Sequence, residues 1–340
     1  MKRLGLTLFN VLLLLAAIAQ DTVQTPKPIV EQKTWGNIFS SFRYETNTRY
    51  SAFEMPTALI GYSAKTDRFK GTLVLDVSRT TGEIAVNDTS GNPLTVSYRE
   101  GSNYTVFLKM AELKYTLNDI VDFKMGQLLN TQYLTTQDKF WGYRYVYFTY
   151  QEVHRYGNPA DFGIQTDIKI GNKALLQLSV TNGEGPFRYQ DSEGKMLYAF
   201  NAEWFPLKGL ILKLYSDYAP SPDTTSEANW RQANSLFAGF NAEKFKIGSE
   251  LNWVRNYKFL NNNDFWGISS FVSITFNPKW ALFYRHDYIN RSAIMNVSKA
   301  NYMICGIQYQ PLDNLQCSVN LRSLDFDNNA MLFFSVGGKF

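Results

Sequence analysis

Side chains that carry catalysis or bind metals are scarce in this chain. Its 340 residues include two cysteines and two histidines. Cys305 and Cys317 are too few for a disulfide framework and lack metal-ligand spacing. They fall on neighbouring expected strands at facing parity, which leaves a cross-strand disulfide and a pair of small apolar outer-face residues both open. Of the histidines, His154 and His286, the best pairing with a nucleophile is His286 with Ser292, and no orienting third group accompanies them by spacing. Gly-x-Ser-x-Gly, His-Glu-x-x-His and phosphate-loop patterns are all missing. The expectation is therefore no enzyme, no metal and no cofactor. The Asp/Asn-rich "DFDNN" (Asp325–Asn329) reads as a hairpin turn rather than a Ca²⁺ loop.

Long apolar runs are also missing, with one exception at the N-terminus. There "MKR" precedes "LGLTLFNVLLLLAAIA", and Ala17-x-Ala19 supplies a small-residue cleavage site. This is the pattern of a secretory signal peptide over residues 1–19, and no cysteine follows it to take a lipid. No later run approaches the ~20 apolar residues of a membrane helix, which excludes a helical membrane protein. Net charge is small too. The 34 basic residues less Lys2 and Arg3 leave 32 against 30 acidic, or +2 for the exported chain. That balance argues against a nucleic-acid partner, despite the interleaved aromatic and basic residues of "TQDKFWGYRYVYFTYQEVHRYG" (Thr136–Gly157).

Aromatics are abundant, at 16% of the chain, while mean hydropathy is negative at -0.26. Alternation dominates. In "DFGIQTDIKI" Phe162, Ile164, Ile168 and Ile170 share one face, with Gln165, Asp167 and Lys169 on the other. A period of two with one apolar and one polar face marks an antiparallel strand. Sixteen such segments are expected: 34–46, 52–63, 68–79, 104–116, 121–128, 161–170, 173–182, 196–205, 209–219, 233–242, 245–255, 265–276, 279–290, 298–309, 314–324 and 330–340. Their connections alternate between tight turns such as "AKTD", "PLKG" and "NPK" and long segments near 80–103, 129–160, 183–195 and 220–232. Tyr62, Tyr115, Trp204, Phe205, Phe276, Trp280 and Tyr309 sit at the tight-turn ends, where an interfacial girdle belongs. These features predict an all-β fold: a 16-stranded antiparallel transmembrane β-barrel over residues 34–340, with short periplasmic turns and long extracellular loops. Residues 20–33 would form a short periplasmic N-terminal segment. The closing "MLFFSVGGKF" ends on Phe340, a terminal aromatic of the kind read as an outer-membrane assembly signal.

Parity assigns eight basic side chains to the lumen, Arg68, Lys70, Lys124, Lys169, Lys213, Lys246, Arg285 and Arg322, against eight acidic ones, Asp76, Asp122, Asp167, Glu203, Asp217, Glu243, Glu250 and Asp287. So many charges need water, and a barrel of sixteen strands is wide enough to hold it. Passive diffusion of small hydrophilic solutes or ions is the expected role. The long third connection, 129–160, is expected to fold inward and narrow the pore with Asp138, Lys139, Arg144, Glu152, His154 and Arg155, leaving Lys70, Lys124, Lys169, Lys213, Arg285 and Arg322 along the wall.

"KFWGYRYVYFTYQEVHRYGNPADFGI" followed by "TNGEGP" (Thr181–Pro186) resembles the central region of Gram-negative porins related to the phosphate-selective porins O and P, with Ala160-Asp161-Phe162-Gly163 as the strand start. The resemblance implies a sixteen-stranded, usually homotrimeric barrel of the bacterial outer membrane with an inward third loop. Its partners would be the bilayer and lipopolysaccharide, the barrel assembly machinery, and small solutes. The family name implies anions such as phosphate. Its anion-selective members, however, carry an arginine ladder and a lysine cluster, whereas these lumen charges balance. Two rival readings remain: a non-conducting barrel with an adhesive or structural role, and a barrel enzyme of the outer-membrane phospholipase type.

Overall fold

The computed structural model describes residues 30–79, 85–87, 93–95, 104–186, 190–191, 193–221, 225–291, 299–324 and 330–340. Its strands, in chain order, are β1 (Glu31–Glu45), β2 (Ser51–Lys65), β3 (Phe69–Arg79), β4 (Ala85–Asn87), β5 (Pro93–Thr95), β6 (Tyr104–Thr116), β7 (Val121–Leu129), β8 (Ala160–Ile170), β9 (Ala174–Thr181), β10 (Leu197–Trp204), β11 (Leu210–Pro220), β12 (Trp230–Asn241), β13 (Phe245–Arg255), β14 (Phe265–Asn277), β15 (Trp280–Arg291), β16 (Lys299–Leu312), β17 (Leu315–Leu324) and β18 (Ala330–Lys339). β4 and β5 make a small ribbon of their own, and the other sixteen close into one barrel. Each expected barrel strand is present, with ends within three residues of those read from alternation. β1 begins at Glu31, inside the stretch expected as a periplasmic segment. The expected signal peptide lies outside the described residues.

Closure is made by β1 and β18, in register from Asn37 opposite Lys339 to Glu45 opposite Met331. Phe340 completes the seam: its N–H donates to Gly36 O at 3.0 Å, and Gly36 N–H donates to Phe340 O at 2.8 Å. The outer face is apolar, with Leu113, Ile164, Leu178, Ile247 and Val319 all exposed. At the tight-turn ends Tyr62, Trp204, Phe276 and Trp280 face outward, and the Trp280 and Tyr309 rings meet at 4.5 Å. Phe205 departs from the expected girdle and packs instead against the apolar cluster inside the barrel. Both cysteines are free. Cys305 lies opposite Leu321 and Cys317 opposite Tyr309, so the register keeps them apart.

Two register shifts reverse the inside–outside parity. Between β3 and β6, Val74 pairs with Met110 and Leu75 with Leu108, which leaves Lys109 as an extra residue. Lys109 then reaches the lumen to meet Asp76 at 2.7 Å, while Glu112 and Lys114, of the other parity, face inward beyond the bulge. Between β1 and β2, Phe39 pairs with Thr57 and Ser41 with Glu54, which turns Glu54 inward to Arg43 at 3.4 Å. Strict alternation therefore missed Glu54, Lys109, Glu112 and Lys114. Arg68 and Glu243, counted as lumen residues, are exposed in tight turns.

Neighbouring positions on β9 separate the two faces. Leu178 is half exposed outside, and Ser179 borders the interior. Leu178→Arg is expected to lower the free energy of unfolding from lipid vesicles by about 2–4 kcal/mol. Ser179→Arg should change it by less than about 1 kcal/mol, because its charge stays in water. Equal losses in a urea titration would contradict the assignment of the faces.

Candidate functional site

The connection between β7 and β8 does not extend from the barrel mouth. It runs down through the lumen and back up, packed on the inner faces of β10–β18. Lys213 on β11 fixes the descent by donating to the carbonyls of Thr131 and Gln132, the latter at 2.8 Å. Helix α1 (Thr136–Trp141) follows. Gln137 and Trp141, four apart and so on one helical face, are buried against the wall. Gln137 donates to Glu250 on β13, and Thr136 to Glu203 on β10 at 2.7 Å. The lowest point lies near the tight turns, where Tyr145 donates to Gln308 at 3.0 Å. The ascent is held by Arg322, which donates to Val146 O at 2.6 Å, and by Arg285, which donates to Phe148 O at 2.6 Å. Helix α2 (Tyr150–Val153) is tied by Gln151 to Asn252 at 2.9 Å and by Tyr150 to Tyr288 O at 3.0 Å.

Aromatic packing completes the seat. Trp141, Tyr143 and Tyr145 join Phe237, Phe271, Phe283 and Ile304 of the wall in one buried cluster, which Phe39 of β1 also enters. The Trp141 and Phe271 rings lie 5.1 Å apart, edge to face. Wall glycines make room for the rings. A Cβ at Gly267 would collide with the Tyr150 hydroxyl, and one at Gly337 would come within 2.7 Å of Tyr145 Cβ.

The six loop residues named from sequence separate into groups. Arg144 donates to Asp138 at 2.8 Å and in two parallel bonds to Glu152 at 2.8 and 2.9 Å, so one cation holds two carboxylates. Lys139 and Arg155 are exposed and stand apart from that triad. Burial drives the His154 imidazole down to about 4 against the pull of Asp287, so it carries no charge at neutral pH. Among the wall residues, Lys213, Arg285 and Arg322 lie behind the loop and hold it, and their side chains do not border an open space. Lys70, Lys124 and Lys169 belong to the other side, on β3, β7 and β8.

That other side is the half of the lumen the loop's anchors leave uncovered. Lys169 and Lys114 share the Asp122 carboxylate, each at 2.9 Å, and Lys124 meets Asp167 at 2.8 Å. The side chains of Lys169 and Lys114 keep 38% and 27% of their surface open, against 2% for Arg285 and 1% for Lys213 behind the loop. Lys65, Lys70, Lys114 and Lys124 form an in-register row across β2, β3, β6 and β7. Around the loop, a cavity of about 920 Å³ at the long-loop end, bordered by the ends of β7–β12, and one of about 220 Å³ at the tight-turn end are separated by packed loop, with about 10 Å³ between Trp141, Tyr150, Glu250 and Arg285. His286 lies on the outer face with its imidazole 3.2 Å from Asn301. Ser292 and the 325–329 turn lie outside the described residues.

No family model matches the chain, and no curated protein sequence matches it either. Solved structures do. The chain is similar to Salmonella typhi OmpF, solved in complex with daunomycin, at a TM-score of 0.68 and 9% identity over 91% of this chain and 97% of that one. It is similar to OmpT, an outer membrane protein of Vibrio cholerae in its trimer form, at 0.62 and 10% identity over 92% and 99%. It is also similar to the anion-selective porin from Comamonas acidovorans, at 0.60 and 9% identity over 92% and 100%. At these identities the likeness is one of fold: the chain has the sixteen-stranded architecture of bacterial outer-membrane porins.

Arg285 and Arg322 together are expected to decide whether the loop stays inside. Replacing both by Met removes two donors to loop carbonyls and leaves Asp287 buried without its partner, a loss of about 3–5 kcal/mol. The variant should gain rapid tryptic cleavage after Lys139, Arg144 or Arg155 while the barrel stays folded. Unchanged resistance to trypsin would show that these contacts do not hold the loop.

Proposed function

We propose that the chain is an outer-membrane porin, a water-filled channel for passive diffusion of small hydrophilic solutes and ions with a weak preference for anions. The observation that carries this reading is the position of the third loop. It fills the lumen against β10–β18 and leaves uncovered a wall of partly solvated charges on β1–β3 and β6–β8. Solutes would pass between that wall and the Asp138–Arg144–Glu152 triad, with Lys139 and Arg155 adding positive potential. A packed, dry interior would place the wall charges in low dielectric at a cost of several kcal/mol each, so the exposure that Lys169 and Lys114 keep supports a wet passage.

The anion preference rests on the exposed loop cations Lys139 and Arg155, because the ion-paired wall itself balances. Lys70 has no carboxylate partner among the described residues, while Arg43 is shared by Glu45 and Glu54. The bias is modest, short of the arginine ladder of strongly selective channels, and phosphate is one anion it would admit. Export by cleavage after Ala19, residence in the outer membrane among lipopolysaccharide, recognition of Phe340 by the assembly machinery and a homotrimeric state belong to the same proposal. The trimer form of the similar Vibrio cholerae protein supports the last of these. The porin fold favours a channel over an enzyme.

Planar bilayers test the reading. Purified protein should give reproducible open conductance with weak voltage dependence and a reversal potential slightly toward the anion limit. Absence of conductance would favour a non-conducting barrel. Arg144→Ala removes one positive charge and frees Asp138 and Glu152, so the reversal potential should move toward cations. Lys70→Glu should move it the same way by reversing the unpaired charge. Unchanged potentials in both variants would remove these residues from the conduction path.

A further inference from the structure

Helix α2 ends on His154, whose N–H donates to Tyr150 O at 3.0 Å. The imidazole lies 4.6 Å from the Tyr150 ring, and Arg291 at the end of β15 donates to its Nδ1 at 3.5 Å. A neutral imidazole that accepts at Nδ1 carries its proton on Nε2. A second proton would have to settle on Nδ1, between the ring and the guanidinium. The acceptor would become a donor, and two like charges would face each other at that distance. Among the described residues Arg291 has no carboxylate partner to take up its charge, and it packs over the Phe265 ring at 6.0 Å.

The other groups around the ring are already engaged. From β15, Asp287 favours a charged imidazole and Arg285 opposes it. These two are bonded to each other, Arg285 donating to both Asp287 carboxylate oxygens at 2.7 to 3.1 Å. On the loop, the Tyr150 and Tyr156 hydroxyls meet at 3.1 Å, Glu152 is held by Arg144, and Arg155 is exposed. The seated loop therefore favours the uncharged ring, in keeping with its value of about 4 against an ordinary 6.5. A base held below its ordinary value binds its proton more tightly once released. Release is thus favoured as pH falls from about 6.5 to about 4, by up to about tenfold per pH unit. The contacts that resist it are those of Gln151 with Ser235 and Asn252, and of Tyr150 with Tyr288 O. A segment leaving β12–β15 has the uncovered half of the lumen to enter.

We propose that protonation of His154 against Arg291 frees α2 from the wall and moves the ascending half of the loop into the passage, so that the channel narrows in acid. The narrowing rests on the channel reading, but the release is measured without current. Pepsin is active in acid and cuts beside aromatic residues, so it would probe Tyr147–Tyr156 in the full chain in detergent. His154→Phe keeps a ring beside Tyr150 and cannot take a proton, and comparison with it at each pH cancels the protease's own pH dependence. The ratio of unsubstituted to His154→Phe cleavage should rise about tenfold between pH 5 and pH 3. A ratio that stays constant would assign the acid response to the loop carboxylates and overturn the proposal. Should His154→Phe fail to fold, as read by circular dichroism, Arg291→Gln serves in its place. It removes the opposing charge, so its cleavage at pH 3 should fall below that of the unsubstituted chain, and equal or faster cleavage would overturn the proposal. In bilayers, conductance should fall between pH 7 and pH 3 and fall less in His154→Phe. Release that depends on His154, in a protein that conducts at no pH, would overturn the channel reading and leave the switch standing. Conductance unchanged by acid would do the reverse.

Discussion

Every backbone N–H and C=O that faces hydrocarbon must find a partner within the protein, and a strand finds one only in a neighbouring strand. The pairing of β1 with β18, finished by the two bonds between Gly36 and Phe340, is what meets that demand for the whole sheet. Without it two rows of unpaired groups would stand in lipid. With it the strand number is settled, and the strand number sets the diameter. A barrel of sixteen strands is too wide for its own side chains to fill. The interior must hold water, or a segment of chain, or some of each.

Here a segment of chain fills the side of β10–β18, and in the channel proposed above water takes the side of β1–β3 and β6–β8. The loop from β7 to β8 is seated by two kinds of contact with different physics. Near the tight turns the aromatic cluster around Trp141, Phe271 and Phe283 removes apolar area from water. Higher up, Lys213, Arg285 and Arg322 reach backbone carbonyls that no strand could satisfy inside a barrel. The first kind supplies most of the adhesion. The second specifies register, because a carbonyl displaced by one residue would point away from its donor. Cations that look like pore lining by parity thus serve as struts.

The strands were legible in the sequence because alternation is local: each segment such as "DFGIQTDIKI" displays both faces within ten residues. The place of the inward loop was legible from its length and its position in the order of turns. Errors arose where local regularity breaks. Lys109, Glu112 and Lys114 were missed because a bulge changes parity within one strand, and nothing in "VFLKMAELKY" marks it. The loop's partners were hidden for a different reason. Arg285 and Phe148 lie 137 residues apart, and which carbonyl meets which guanidinium depends on the closed barrel. Likewise, no composition count could tell that Arg144 is shared by two carboxylates, or that His154 is held uncharged by burial.

Charge balance, read as a total, argues against strong selectivity. The structure divides that total by access to water. Lys213 with Glu203, and Arg285 with Asp287, are sealed behind the loop, where their fields end largely on each other and on carbonyl dipoles. On β6–β8, Lys114 and Lys169, which share the buried Asp122, keep part of their surface open. In the channel proposed above, a passing ion would respond mainly to the second group, since a field from behind a packed protein layer reaches it weakened by the partner charge. Selectivity in such a barrel is therefore a property of which charges the loop covers. A substitution that leaves every wall charge in place but reseats the loop would alter selectivity as surely as one that changes a charge.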